Sequence, residues 1–215
     1  MTRYDKRVQA LAVGLSALAG YVDALGFIQL GGFLVSFMSG NSTRLGVGLV
    51  NRAPNVGVAS GLIGLFVIGV IIGSLVGRRA RSHRRAVVLI LVGMTLAIAA
   101  ALNATGAASA AVVLMVIAMG AENAVFERDG EVHIGLTYMT GTLVKFGQRL
   151  ADAATGGARF AWASYLLLWL GLVGGAVAGA ATYPHIGLAG LWFAAGFALL
   201  LAVAAMLTND SDHAA

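Results

Sequence analysis

Two short segments place hydroxyl, glycine and basic residues in the middle of otherwise apolar sequence. The first, SFMSGNSTRLG, covers residues 36–46, and a related segment, TYMTGTLVKFG, covers residues 137–147. A hydroxyl residue and a glycine at the start of a helix leave the hydroxyl and free main-chain N–H groups able to bind a polar or anionic solute. The predicted solute-binding residues are Ser39, Gly40, Asn41, Arg44, Thr140, Gly141, Thr142 and Lys145.

Arg44 and Lys145 each follow the motif glycine by four residues, in the first turn of the expected helix. A cation there opposes the helix dipole, and a bound anion would relieve that cost. The alternative is that both side chains extend to lipid phosphate groups at the membrane surface. The two copies differ at Asn41 and Thr142, which favours an asymmetric site.

Carboxyl groups within apolar segments form a second set of candidates. Asp23 lies in the first apolar run, and Glu122 and Asn123 lie in the fourth. Charged groups are costly at depth in a membrane, so we predict a coupling or gating role for these three residues. The alternatives are a structural pairing for the carboxylates and a hydrogen bond to a neighbouring helix for Asn123.

Several kinds of chemistry are excluded or disfavoured. The chain has no cysteine, and its four histidines are too scattered for a metal-ligand spacing. It contains no zinc-protease, nucleophile-elbow or phosphate-loop motif, so an enzyme is disfavoured, and we predict no catalytic residue, metal or cofactor. Residues 127–131, together with His133, are predicted to form a solvated turn.

Composition identifies the chain as an integral membrane protein. Its 215 residues are 59% hydrophobic and 11% charged, with a mean hydropathy of +0.88. Apolar runs long enough to span a bilayer predict six helices, at residues 8–30, 56–77, 86–102, 107–126, 160–181 and 186–207. Pro54 is expected just before the second helix, and Pro184 in the turn between the fifth and sixth.

Charge placement predicts the orientation of these helices. With a cytoplasmic N-terminus, 12 of the 14 Lys and Arg residues fall on the cytoplasmic side, and only Arg44 and Arg52 fall outside. This bias places both termini in the cytoplasm. The net charge of +5 is therefore attributed to membrane topology, and no nucleic-acid partner is expected. The N-terminal segment resembles a signal peptide, but its similarity to an internal segment predicts that it is retained.

The two halves of the chain resemble one another. GYVDALGF aligns with GAENAVFE at an offset of 100 residues, and the two motifs align at an offset of 101. Farther along, Gly69, Gly73 and Gly77 align with Gly171, Gly175 and Gly179 at an offset of 102. Three crossings per half is an odd number, so the second half is expected to be inverted relative to the first.

The predicted fold is therefore a single all-α transmembrane domain made of two inverted three-helix repeats. The repeats cover about residues 8–104 and 105–207, followed by a short polar tail at residues 208–215. After its first helix, each repeat carries a half-helix that is either re-entrant or interfacial. The glycine triplets predict close helix packing, with a pore-lining surface or a homo-oligomer contact as the alternatives.

The sequence resembles the YoaK family of small bacterial integral membrane proteins, whose function is unknown. The residues that carry the resemblance are Gly20 to Ala24, Phe37 to Asn41 with Leu45 and Gly46, and Glu122 to Ala124 with Thr140 and Gly141. Ser39 stands where the family favours threonine, which preserves the hydroxyl. The resemblance implies six helices and a bacterial inner membrane, but it supplies no substrate.

Two functional hypotheses follow from these features. The first is a transporter or channel-like protein for a small solute or ion, with its site at the interface between the inverted repeats. The second is a membrane scaffold or sensor that transports nothing and pairs with another membrane protein through its glycine-rich helix faces. In both, the lipid bilayer is the constant partner.

Overall fold

The computed structural model describes residues 5–128, 131–132 and 138–209, and the chain there is predominantly helical. In chain order, the helices are α1 (Lys6–Gln29), α2 (Met38–Asn51), α3 (Val56–Ala80), α4 (Arg84–Ala104), α5 (Ala108–Glu122), α6 (Met139–Ala154), α7 (Ala163–Ile186) and α8 (Leu191–Asn209). Two two-residue strands, β1 (Glu127–Arg128) and β2 (Glu131–Val132), form a small antiparallel hairpin in which Glu127 pairs with Val132.

Four helical runs among the described residues are long and apolar enough to cross a membrane. They are Lys6–Gln29, Val56–Ala104, Ala108–Phe126 and Ala163–Leu207. The second and fourth contain 49 and 45 residues, far more than the roughly 20 that one crossing needs. Each is divided into two helices, α3 with α4 and α7 with α8, so the six predicted apolar segments overlap α1, α3, α4, α5, α7 and α8, while six crossings stay a prediction.

The breaks within the two long runs have the same backbone geometry. Arg81, between α3 and α4, has φ 47° and ψ −112°, and Gly187, between α7 and α8, has φ 55° and ψ −138°. A short 3₁₀ turn follows each break, at Arg81–His83 and Gly187–Gly190. A positive φ is natural for glycine and strained for arginine, so the turn at Arg81 carries backbone strain that the turn at Gly187 does not.

The longest interfaces join the two halves of the chain. α1 packs along α7, α3 packs along α5, and α4 packs along both α5 and α8. Most of the largest fully buried side chains come from α1, α4, α5 and α8; they include Leu15, Leu18, Leu25, Leu89, Leu96, Met115, Met119 and Leu191. α3 and α7 expose apolar side chains such as Ile71 and Val177, as expected for surfaces that face lipid.

Glycines allow the backbones of these helix pairs to approach closely. A Cβ atom at Gly69 would overlap the carbonyl oxygen of Ile117, and one at Gly73 would overlap that of Ala121. In the other pair, a Cβ atom at Gly175 would overlap the carbonyl oxygen of Ala17, and one at Gly179 would overlap that of Tyr21. The predicted packing role of these glycines is therefore observed within the chain.

These contacts correct the glycine alignment. Ala17 and Ile117 are 100 residues apart, and so are Tyr21 and Ala121, which matches the sequence alignment of the first helices. Their partners, however, relate Gly69 to Gly175 and Gly73 to Gly179, an offset of 106 instead of the predicted 102. The two offsets differ by four residues, which is about one helical turn. Because the glycines also recur every four residues, their sequence spacing fits both offsets and cannot distinguish them.

All six glycines of the triplets lie against neighbouring parts of the same chain. Gly77 faces the side chain of Arg84, and Gly171 faces Val13. Pairing with another protein or a second copy through these faces stays a prediction, and it would require the internal helix pairs to separate.

The boundaries of three elements differ from the sequence prediction. α2 and α6 begin at Met38 and Met139, so Ser39, Gly40, Thr140 and Gly141 lie in the first helical turn and not in a preceding turn and cap. The N-cap residues are Phe37 and Tyr138, and neither makes a side-chain capping hydrogen bond. Pro184 lies inside the last turn of α7, which extends to Ile186, instead of in the loop that follows.

Candidate functional site

Asp23 fixes the segment that leads into the first motif helix. Its side chain is buried in α1, and its Oδ1 atom accepts hydrogen bonds from the main-chain N–H groups of Val35 (2.7 Å) and Ser36 (2.8 Å). Hydrogen bonds from a chain segment to a carboxylate satisfy N–H groups that a non-helical backbone would otherwise leave unpaired in an apolar environment. Asp23 therefore holds this segment against α1.

Asn41 fixes the same segment from the opposite side. It is fully buried in α2, its Oδ1 atom accepts a hydrogen bond from the N–H group of Leu34 (3.1 Å), and its amide nitrogen donates to the carbonyl oxygen of Leu34 (2.6 Å). Both ends of the amide are thus bonded to main chain. The residue predicted to bind a solute acts here as a connector between α2 and the preceding segment.

The remaining predicted residues of the first motif lie nearer the surface. Ser39 is exposed and Gly40 is half-buried. The guanidinium carbon of Arg44 lies 5.1 Å from the centre of the Phe33 ring, a distance at which a cation–π contact is favourable. Arg44 therefore contacts the same segment that Asp23 and Asn41 hold.

The second motif is arranged differently. Thr140, Gly141 and Lys145 are exposed on α6, whereas Thr142 is buried, and its hydroxyl donates to the carbonyl oxygen of Tyr138 (3.4 Å). Residues 133–137, which correspond to the segment held by Asp23, lie outside the described residues. Thr142 is the positional counterpart of Asn41, so this divergent position is buried in both copies.

The two motif helices do not pack against each other in the described part of the chain. α2 packs against α3, and α6 packs against α7. The predicted set of solute-binding residues therefore forms two separate groups, one around the segment at residues 33–37 and one along α6. Only the first group lies beside a buried carboxylate, that of Asp23.

Glu122 and Asn123 are both buried near the end of α5. Neither carboxylate oxygen of Glu122 has a hydrogen-bond partner among the described residues. The amide nitrogen of Asn123 donates to the carbonyl oxygens of Met119 (3.0 Å) and Gly120 (3.4 Å). Burial without a hydrogen-bond donor disfavours the charged form of a carboxyl group. The coupling or gating role of Glu122 and Asn123 stays a prediction.

A charged cluster that the sequence did not predict lies beyond the end of α5. Glu127 Oε2 accepts a hydrogen bond from the hydroxyl of Ser74 (2.6 Å) and lies 2.7 Å from Arg84 Nη2, while Arg78 Nε lies 3.6 Å from Oε1. Arg84 Nε also donates to the carbonyl oxygen of Ala124 (3.0 Å). The expectation of a solvated turn is therefore wrong for Glu127, because basic and hydroxyl side chains from α3 and α4 enclose it.

Burial by itself would raise the pKa of Glu127. The hydrogen bonds from Ser74 and Arg84, together with the charges of Arg84 and Arg78, outweigh it and hold this pKa below the ordinary value for glutamate. The carboxylate is therefore ionised at neutral pH and bridges the end of α3, the start of α4 and β1.

A groove with a volume of about 410 Å³ runs between α1 and α7 beside the segment held by Asp23. Its walls are apolar apart from Asp23, and they include Phe27, Leu34, Phe37 and Ala176. The sequence identified Asp23 but not the α7 wall, which carries no motif and consists of Leu172, Val173, Ala176, Val177 and Ala180. The small side chains of the two alanines, in a helix that packs closely on α1, are the signal that could have indicated space there.

The described residues around the groove combine apolar walls with a single carboxyl group. No group of three histidine, aspartate or glutamate side chains that could bind a metal ion occurs in the parts of the chain that are described. What the geometry provides is a rigidly held carboxylate at the inner wall of an apolar groove. In general, an apolar groove with one charged group suits a ligand that is largely apolar and carries the opposite charge.

Comparison with known proteins places the chain among transmembrane proteins. It is 38% identical over 197 residues to a UPF0700 transmembrane protein from Rhizobium meliloti (strain 1021), an alignment that covers 91% of this chain and 85% of the relative. No solved structure matches the chain. Residues 11–204 match the family described as protein of unknown function DUF1275. These matches confirm the prediction of a membrane protein from a family of unknown function, while the YoaK name stays a resemblance. The chain belongs to the DUF1275 family.

Proposed function

We propose that this protein is a transporter or channel-like protein for a small solute, with its binding site where the two halves of the chain meet. The observation that carries the proposal is the buried carboxylate of Asp23, which lies at a groove between α1 of the first half and α7 of the second. Ionisable groups inside membrane domains are costly, so a buried carboxylate of this kind is by default a candidate for a solute pathway.

The repetition of the helix contacts supports an inverted-repeat architecture. The α1–α7 and α3–α5 interfaces use glycines at equivalent positions, and the two turns at Arg81 and Gly187 share one conformation. In the proposed topology, α1, α3, α4, α5, α7 and α8 cross the bacterial inner membrane and both termini are cytoplasmic. Three crossings in each half would place α2 and α6 at opposite faces.

The dimensions of α2 and α6 agree with this topology. Their 14 and 16 residues give lengths of about 21 and 24 Å, and neither is among the runs that are long and apolar enough to cross a membrane, whereas α5 continues through a short turn to form the 19-residue run Ala108–Phe126. Each is therefore either re-entrant or interfacial. Glu122 would serve as a coupling or gating group, because a buried carboxyl without a hydrogen-bond donor exchanges a proton or cation readily when water reaches it.

Solute flux in reconstituted vesicles tests the function. A panel of ions and small metabolites is compared for the wild type, Asn41→Leu and Glu122→Gln, with Ser42→Ala as a control on the exposed side of α2. We expect flux of at least one solute, a loss of about tenfold or more in the first two variants, and unchanged flux in the control. Equal behaviour of empty vesicles and all four proteins for every solute would refute the proposal.

The topology has its own test in this cysteine-free chain. Ser39 and Thr140 are both exposed, so single Ser39→Cys and Thr140→Cys variants can be labelled with a membrane-impermeant reagent. The inverted arrangement predicts labelling from opposite sides of the membrane. Labelling of both positions from one side would disprove the inversion without affecting the flux result.

A further inference from the structure

The groove between α1 and α7 and the charged cluster beside α3 and α5 occupy corresponding places in the two halves. With an offset of 100 residues for the first helices and 106 for the third, Phe27 corresponds to Glu127 and Ala180 corresponds to Ser74. Phe27 and Ala180 line the groove, whereas Glu127 and Ser74 are hydrogen-bonded to each other. The same crevice is therefore filled by polar side chains in one half and left open in the other.

The two crevices also differ in how their carboxylates are balanced. Glu127 is paired with the guanidinium groups of Arg84 and Arg78. Asp23 is 5% exposed, and no basic side chain among the described residues forms an ion pair with it; its Oδ1 atom has two main-chain N–H groups as partners. A buried carboxylate is stabilised by a counter-charge, and in the open crevice the described part of the chain provides none.

The other groove residues favour a particular kind of counter-charge. The walls are apolar, so a strongly hydrated ion would lose its water without replacement ligands. Phe27 and Phe37 supply aromatic rings, which attract cations. The volume of about 410 Å³ is that of a small organic molecule and lies within the range of ordinary ligand pockets.

We propose that this groove binds a small apolar molecule that carries one positive charge, with Asp23 as its counter-ion. The inference rests on the proposed function, since it names a class of solute for the same interface between the two halves. Asp23 would contribute the preference for charge, and the apolar walls would contribute affinity that is independent of charge.

Binding of a matched pair of probes tests the proposal. Benzyltrimethylammonium carries a permanent charge, and 2,2-dimethylpropylbenzene has the same shape without it. Binding of each probe is measured by equilibrium dialysis with the full chain in lipid nanodiscs, and binding to empty nanodiscs is subtracted. We expect the wild type to bind the cation about tenfold or more tightly than the neutral probe.

Three variants test whether the preference for the cation depends on Asp23 and on the groove. Asp23→Asn should lower the affinity for the cation about tenfold and leave that for the neutral probe unchanged. This substitution is compatible with the fold, because an amide Oδ1 atom can still accept the hydrogen bonds from the N–H groups of Val35 and Ser36. Asp152→Asn removes an exposed carboxylate and should have no effect on either probe. Ala180→Leu fills the groove and should weaken both.

Three results would overturn the inference. The first is equal affinity of the wild type for both probes, which would indicate lipid acyl chains as the occupant. The second is unchanged cation binding in Asp23→Asn, and the third is no binding of either probe.

The proposed transport function can be refuted independently of this site. Charge-dependent binding without flux of any solute would refute transport and leave the site, whereas flux of other solutes without cation binding would refute the site alone.

Discussion

Arg84 Nη2 lies 2.7 Å from Glu127 Oε2, and this ion pair joins the start of α4 to the strand that follows α5. The Glu127 side chain is 8% exposed and that of Arg84 is 18% exposed, so solvent screens the pair only weakly. Its place in the other half is taken by Phe27 and Gly190, which cannot form an ion pair. The two halves are therefore stabilised by different chemistry at corresponding ends.

Removing the arginine of this pair should destabilise the protein. Arg84→Met leaves Glu127 mostly buried with a weaker partner in Arg78, and we expect a loss of about 2–3 kcal/mol in the free energy of unfolding. Arg149→Met is the matched control, because Arg149 pairs with Asp152 at 3.1 Å with both side chains about half exposed. That exposed pair should contribute less than about 1 kcal/mol. Thermal unfolding in one detergent compares the variants, and equal melting temperatures would contradict the prediction.

The same ion pair predicts a dependence of stability on pH. Because the pKa of Glu127 is lowered in the folded protein, its contribution is fully present above the ordinary glutamate value of about 4.3 and is lost as pH falls through the folded pKa. The melting temperature of the wild type should therefore fall more steeply below about pH 4.5 than that of Glu127→Gln. Parallel curves for the two proteins would show that Glu127 is not stabilised by its partners.

The close contacts of the glycines predict opposite effects for two neighbouring substitutions in α7. A Cβ atom at Gly175 would meet the carbonyl oxygen of Ala17, so Gly175→Ala should cost about 1–3 kcal/mol through overpacking. Gly174 is exposed with nothing near its Cβ position, so Gly174→Ala should stabilise the helix by up to about 1 kcal/mol. Calorimetry of both variants measures the two changes in stability. A loss of stability in both would contradict the prediction and indicate that α7 packs on α1 with a different register.

The strained turn at Arg81 predicts a stabilising substitution. Arg81→Gly adopts φ 47° without a Cβ clash, as Gly187 does in the corresponding turn, and should stabilise the fold by about 1 kcal/mol. Arg79→Gly makes the same chemical change in the last turns of α3, where glycine should cost up to about 1 kcal/mol. Opposite shifts in melting temperature are expected, and a loss of stability in Arg81→Gly would show that its side chain contributes more than the strain costs.

The membrane class and the apolar segments followed from the sequence because they depend on local composition. The similarity of the halves was also readable, since the residues of GYVDALGF and of the motif are adjacent in the chain and their offsets of 100 and 101 differ by one. Asp23 could be selected as a candidate because a carboxylate in an apolar run is anomalous wherever its partners lie.

The tertiary structure decided the relationships that depend on distance in space. Asp23 meets Val35 and Ser36, and Arg84 meets Glu127, through loops whose path no local pattern specifies. α6 is two residues longer than α2, and the loop after α6 is four residues longer than the loop after α2. The offset therefore grows from 101 residues at the motifs to 106 residues at the paired glycines, although the four-residue spacing of the glycines also fits 102. Composition and periodicity therefore determined which segments are helices in a membrane, whereas packing determined which faces meet, because helix contacts depend on loop length and on atoms far apart in the chain.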